Sequence, residues 1–186
     1  TITPTANSCP GAAITATVLV NPTPNAVAIP NSQTICSGFA IQTIVLSGSV
    51  SGTTFNWTRN NTVNVTGIAA SGSGNISGTL TNTTNTPQTV TFTITPTANG
   101  CPGSSITATV LVNPKPTAIA TVNPNPICQD ETAWFEAKGG VSFAWSGPGG
   151  FYATGSRVGR VMSELSYGGI YTVTVTSSVG CTNTAT

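Results

Sequence analysis

The sequence predicts an all-β protein built of small two-layered sheets set end to end, and three observations carry that expectation. The first is a repeat. TITPTANSCPGAAITATVLVNPTP opens the chain, and TITPTANGCPGSSITATVLVNPKP begins at residue 93, 92 positions later. That period is too long for one turn of a solenoid and suits one small sandwich. The second is composition. Among 186 residues, 20 glycines and 13 prolines cut the chain into short segments, and the abundant threonine is β-branched and fits pleated strands. The third is alternation. In TVTFTITPT (89–97), Val90, Phe92 and Ile94 fall on one face and threonines on the other, the pattern of a half-buried antiparallel strand.

Residues 1–22 read as the C-terminal hairpin of a truncated repeat, with ITATVLV (14–20) as its last strand. NPTP (21–24) is a short polyproline-type joint, stiffer than a Gly/Ser linker. Residues 23–114 form the complete unit, with strands expected in NAVAI (25–29), FAIQTIVLS (39–47), TTFNWTR (53–59), NVTGIAA (64–70), ISGTLTN (76–82), TVTFTITPT (89–97) and SITATVLV (105–112). About seven short strands with turn residues between them is the count of an immunoglobulin-like sandwich. Trp57 then falls on the third strand, where such sandwiches bury a core tryptophan.

Residues 115–186 follow the second joint, NPKP (113–116), and read as a further sandwich with its last strand truncated. AWFEA (133–137) and VSFAWSG (141–147) are its second and third strands, with Trp145 in the core role. GIYTVTVTS (169–177) is the penultimate strand and carries Tyr171 near its start, the place of a tyrosine corner. The repeat starts in mid-pattern at residue 1 and stops at Thr186, so the sequence reads as an excerpt from a longer chain.

Several function classes find no support. Charged residues make up 5% of the chain and the formal net charge is +1. The five basic residues (Arg59, Lys115, Lys138, Arg157, Arg160) are scattered, leaving no stripe to neutralise nucleic-acid phosphates. No apolar run of 18 residues marks a membrane span, and no signal-peptide pattern is present. Without histidine or a paired carboxylate, acid–base catalysis has no obvious residues, and the chain is expected not to be an enzyme. No cofactor is expected. Zinc lacks CxxC and histidine ligands, and the adjacent Asp130 and Glu131 read as a solvated turn rather than a calcium site. SGPGGFY (146–152) lacks the lysine and helix of a phosphate loop and reads as a hairpin loop. With Trp145 behind them, Phe151 and Tyr152 form its one alternative use, an aromatic platform for a sugar ring.

Cysteines indicate an oxidising compartment. Cys36 and Cys128 are 92 residues apart, as are Cys9 and Cys101, so each unit owns one early and one late cysteine, with Cys181 as the last late one. Cys36, Cys101, Cys128 and Cys181 are expected in structural disulfides, and Cys9 is expected to pair outside the fragment. In a standard sandwich the early and late positions lie at opposite ends, about 20–25 Å apart for strands of about seven residues, whereas bonded cysteines need Cα atoms within about 7 Å. Two pairings stay open. One is within units, Cys36–Cys101 and Cys128–Cys181; the other crosses the domain junction, Cys36–Cys181. Economy favours the first, because each unit carries its own pair.

The phrases TVTFTITPTANGCPGSSITATVLVNPKP, NPICQDETAWFEA, FAWSGPGGF and GIYTVTVTSSVGC resemble the PKD-like and immunoglobulin-like repeats of giant surface proteins of gliding Bacteroidetes-type bacteria, the SprB-type gliding-motility adhesins. The resemblance covers essentially the whole chain. It implies export by type 9 secretion, display at the extracellular cell surface, and adhesion to a substratum during gliding. It also implies partners: neighbouring repeats of the same chain, surface polysaccharide or substratum, and the secretion and motility machinery. The function expected on this footing is a structural stalk segment that spaces a binding tip from the cell and transmits force. The alternative is a glycan- or protein-binding module with the third unit as the binding part, since that unit departs from the repeated text and holds most of the aromatics and charges.

Overall fold

Short strands and left-handed turns organise the chain from its first residues. A computed structural model describes all of residues 1–186 and contains strands and one 3-10 turn, Leu165–Tyr167, but no α-helix. At the N-terminus β1 (Thr5–Ala6) and β2 (Cys9–Pro10) form a small antiparallel hairpin, extended by a bridge between Ile2 and Ile14. Asn7 and Ser8 turn it with φ of 48° and 63°, in the left-handed region that Asn tolerates. The expected strand ITATVLV (14–20) does not form. Its apolar side chains are exposed because no second sheet lies beside them.

Next come β3 (Val27–Ile29), β4 (Ser32–Cys36), β5 (Phe39–Ala40), β6 (Val45–Ser47), β7 (Thr54–Arg59), β8 (Val65–Gly67), β9 (Ser71–Ser73), β10 (Thr79–Asn82), β11 (Gln88–Ala98), β12 (Cys101–Pro102) and β13 (Ile106–Asn113). One sheet has the order β4-β13-β11-β7-β9, with β12 folded against β11. A second has the order β5-β10-β8, and β3 pairs with β6. The inward residues of both faces, among them Ile44, Ile76, Leu80, Phe92, Ile94, Val110 and Val112, make one buried apolar cluster. Its organiser is β11, whose alternating burial follows the Val90, Phe92 and Ile94 pattern.

Two details depart from the sequence expectation. FAIQTIVLS is not one strand. It breaks after Ala40 and resumes at Val45, changing partner from β10 to β3. Gln33 holds the break by donating from Nε2 to the Gln42 carbonyl and accepting the Gln42 N–H at Oε1. The second departure is β4, a strand with no apolar alternation to reveal it. It pairs in parallel with β13, Ser32 opposite Thr109 through Cys36 opposite Asn113.

The remaining strands are β14 (Ile119–Asn123), β15 (Thr132–Lys138), β16 (Ser142–Gly147), β17 (Phe151–Thr154), β18 (Arg157–Val161), β19 (Thr172–Thr176) and β20 (Thr182–Ala185). They form two facing sheets, β14-β15-β18 and β17-β16-β19-β20. Between them lies a second, separate apolar cluster that includes Phe135, Trp145, Tyr171, Val173 and Val175. The chain is thus an all-β molecule with two sandwich cores.

Candidate functional site

No cleft gathers catalytic groups. The carboxylates are turned to solvent. Glu136 faces Arg157 at 3.4 Å across exposed side chains, Glu164 accepts a hydrogen bond from Ser166, and Glu131 accepts from the Cys128 N–H. No group of three His, Cys, Asp or Glu side chains is placed to hold a metal ion. The chemistry of this chain is concentrated instead where the first sandwich meets the second.

That junction is built from the end of the first sandwich. Because β4 runs parallel to β13, Cys36 ends beside Asn113, the last residue before Pro114, Lys115 and Pro116. Ser37 N–H donates to the Asn113 carbonyl at 2.8 Å. Behind it Asn82, itself buried, donates from Nδ2 to the Val112 and Thr86 carbonyls, while its N–H donates to Ser37 Oγ. These buried polar groups are all paired, so they fix the chain exit without an unsatisfied group. From the second sandwich comes the turn between β19 and β20. Ser177 N–H donates to the Cys181 carbonyl and Cys181 N–H donates to Ser177 Oγ, presenting a buried Cys181. Asn183 Nδ2 then donates to the Pro116 carbonyl at 3.0 Å, tying the turn to the joint.

Cys36 and Cys181 are bonded to each other, with Cα atoms 5.6 Å apart and a sequence separation of 145. The pairing is the junction-crossing one. The within-unit bonds Cys36–Cys101 and Cys128–Cys181, favoured on economy, are not formed, and Cys9, Cys101 and Cys128 are unbonded. The reason is length. Cys36 lies at one end of β13 and Cys101 just beyond the other, and the eight residues of that strand span about 25 Å.

The opposite end of the first sandwich repeats the arrangement. Asn21 Nδ2 donates to the Asn99 carbonyl at 3.3 Å, and a side chain on Gly103 would strike the Pro24 carbonyl. The joint at 21–24 therefore lies against the turn carrying Cys101 as the joint at 113–116 lies against the turn carrying Cys181.

The core aromatics sit as follows. Trp57 is buried edge-on to Phe92, its ring centroid 5.7 Å away, and donates from Nε1 to the Gly74 carbonyl. Trp145 packs on Phe135 and donates to the Gly155 carbonyl. Tyr171 lies 4.2 Å from Phe135, centroid to centroid, and its hydroxyl donates to the Tyr167 carbonyl at 2.8 Å, the bond of a tyrosine corner. Arg160 donates to the Tyr171 hydroxyl and the Pro148 carbonyl and stacks over the Tyr167 ring at 3.8 Å. Arg59 caps the first sandwich in the same way, donating to the Ile68 and Val65 carbonyls. Partial burial lowers its guanidinium below the ordinary arginine value.

Phe151 and Tyr152 do not make a common platform. They are neighbours on β17, so they point to opposite faces. Phe151 packs inward on Tyr171 and Phe135, and Tyr152 stands in solvent. An apolar depression lies elsewhere in the second sandwich. It is a groove of about 420 Å³ floored by Phe135, Trp145 and Met162 and walled by Asn125, Ile127 and Ile170.

Sequence reasoning missed Asn82, Asn113 and Asn183, which position the junction. The one available signal was the Asn-Pro pair recurring at 21–22 and 113–114.

Residues 33–116 match the PKD-like domain family. Among solved structures, DIP-gamma IG1+IG2 is 10% identical, covering 88% of this chain and 95% of that chain with a TM-score of 0.36. The amphioxus IgVJ-C2 molecule is 14% identical over 82% of this chain and 96% of its own, with a TM-score of 0.35. The YadV chaperone is 7% identical over 87% and 98%, with a TM-score of 0.35. No curated protein matches the chain.

Proposed function

We propose that the chain is a force-carrying spacer from a secreted, surface-displayed repetitive adhesin, a stretch of sandwiches in a linear array that holds a binding tip away from the cell. The observation that carries this reading is the Cys36–Cys181 bond across the junction. A cross-link there leaves either sandwich free of chemistry and joins both into one mechanical element. Pulled at its ends, the bonded chain withholds the loop between cysteines 145 positions apart, about 500 Å of extended backbone. Proline-rich joints at 21–24 and 113–116 limit bending, and near-zero net charge limits repulsion between neighbouring filaments.

The compartment follows from the same bond, since disulfides persist in oxidising surroundings. No helix of the chain is long and apolar enough to cross a membrane. Gliding motility, type 9 secretion, cell-surface display and partnership with neighbouring repeats and substratum are the finer part of the proposal, resting on the resemblance of the repeated phrases. Immunolabelling intact, unpermeabilised cells with an antibody to residues 23–186 tests it. Surface label, together with loss of attachment when the coding region is deleted, is the expected result. Label confined to lysed cells contradicts it.

A further inference from the structure

The third tryptophan is unlike the other two. Trp57 and Trp145 are 8% and 1% exposed and spend their Nε1 donors on the Gly74 and Gly155 carbonyls. Trp134 is 42% exposed, and its Nε1 has no partner in the protein. Alternation along β15 explains where it stands. Ala133, Phe135 and Ala137 enter the core, so Trp134, Glu136 and Lys138 lie on the outer face of the β14-β15-β18 sheet. The last strand, β20, belongs to the opposite sheet.

The register supplies the surroundings. Trp134 is opposite Asn123 on one side and Gly159 on the other, and Glu136 is opposite Arg157. A side chain on Gly159 would strike the indole, so the ring reaches over bare backbone of the edge strand. The Arg157 guanidinium lies over the ring, 4.5 Å from its centroid. Covering an edge glycine accounts for the position of the ring. It does not account for the donors gathered round it. Arg157 meets Glu136 through Nε at 3.4 Å, between side chains 60% and 49% exposed. Such a pair is weak and leaves most of the guanidinium donors open to a ligand. Lys138, next along this face of β15, and the exposed Asn123 add more. Two cations against one carboxylate leave the face with an excess of positive charge.

We infer that this face binds an acidic polysaccharide, a run of uronic-acid rings. The C–H face of a pyranose stacks on the exposed indole, and its hydroxyls accept from Asn123 and from Trp134 Nε1. Its carboxylate takes the Arg157 guanidinium and the Lys138 ammonium. A neutral sugar uses the ring but leaves the surplus charge unmatched, so it is the weaker ligand. From Trp134 to Lys138 the patch runs about 14 Å along the strand, and it spans about 10 Å across three strands, enough for more than one ring. The platform belongs to the second sandwich alone, since Gln42 stands 92 positions before Trp134. Binding here is independent of the spacer reading, which rests on the junction.

The test titrates the whole 186-residue protein with the hexamer of galacturonic acid and with its methyl ester, following amide and indole N–H resonances. The acid should shift the Trp134 Nε1–H and the amides of β14, β15 and β18, and should bind more weakly as salt rises. The ester should bind about fivefold more weakly. Trp134→Ala should weaken binding of the acid about tenfold or more. Because that change also uncovers Gly159, Arg157→Gln, which leaves the ring in place, is the second variant. It should cost about fivefold and narrow the preference for acid over ester. Tyr152→Ala, in the opposite sheet, should bind as the parent does. No binding at millimolar hexamer, equal affinity for acid and ester, or affinity unchanged by Trp134→Ala and Arg157→Gln overturns the inference.

Discussion

Cys36 and Cys181 stand with their Cα atoms 5.6 Å apart although they are 145 positions apart in sequence, and each belongs to a different sandwich. A cross-link that closes so long a loop removes much chain entropy from the unfolded state, about 5 kcal/mol in the loop-closure model. Replacing both cysteines with serine should therefore lower the melting temperature. A melt unchanged by the double substitution contradicts this.

Trp57 and Trp145 anchor separate cores, so their losses should be separable. Trp57→Ala should cost about 3–5 kcal/mol in the first sandwich and leave the second folded, provided the junction bond is intact. Amide spectra of the variant check it. Resonances from β14 to β20 should keep their dispersion while those from β3 to β13 collapse. Collapse of both sets would mean a shared core.

Tyr171 closes the corner at the start of β19 through a single hydroxyl bond to Tyr167, reinforced by Arg160. Tyr171→Phe keeps the ring against Phe135 and removes those bonds. The expected cost in urea unfolding is about 1–2 kcal/mol, with an unchanged m-value. Gly147→Ala should do worse, because a methyl there runs into the Tyr171 ring.

Phe151 and Tyr152 should behave as opposites. Phe151→Ala opens the core and should cost about 3 kcal/mol or more, while Tyr152→Ala should leave the melt within about 0.5 kcal/mol. Glycan-array signals should be the same for parent and Tyr152→Ala. A glycan bound by the parent and lost in Tyr152→Ala would restore a ligand role to this edge.

Much of the fold was legible in the residues. Val90, Phe92 and Ile94 alternate along β11, and both core tryptophans and the Tyr171 corner sit where strand order places them. What was hidden depended on partners distant in sequence. β4 carries no apolar period because its pairing to β13 is made by backbone, and FAIQTIVLS breaks because Gln33 grips Gln42. ITATVLV is strand in one copy and exposed chain in the other, so identical text folds only where a sheet receives it. The cysteine pairing was the hardest to read. Spacing assigns one early and one late cysteine to each unit, but the choice of partner depends on which sandwich ends abut, and Asn113, Pro116 and Asn183 decide that.

Single-molecule pulling from the two termini tests the central claim most directly. Under oxidising conditions neither sandwich should release its full length, because β5 to β19 lie within the Cys36–Cys181 loop. After reduction two unfolding steps should appear, of about 300 Å for the first sandwich and about 240 Å for the second at about 3.5 Å per residue. Full extension without reductant, or one merged step after reduction, would contradict it.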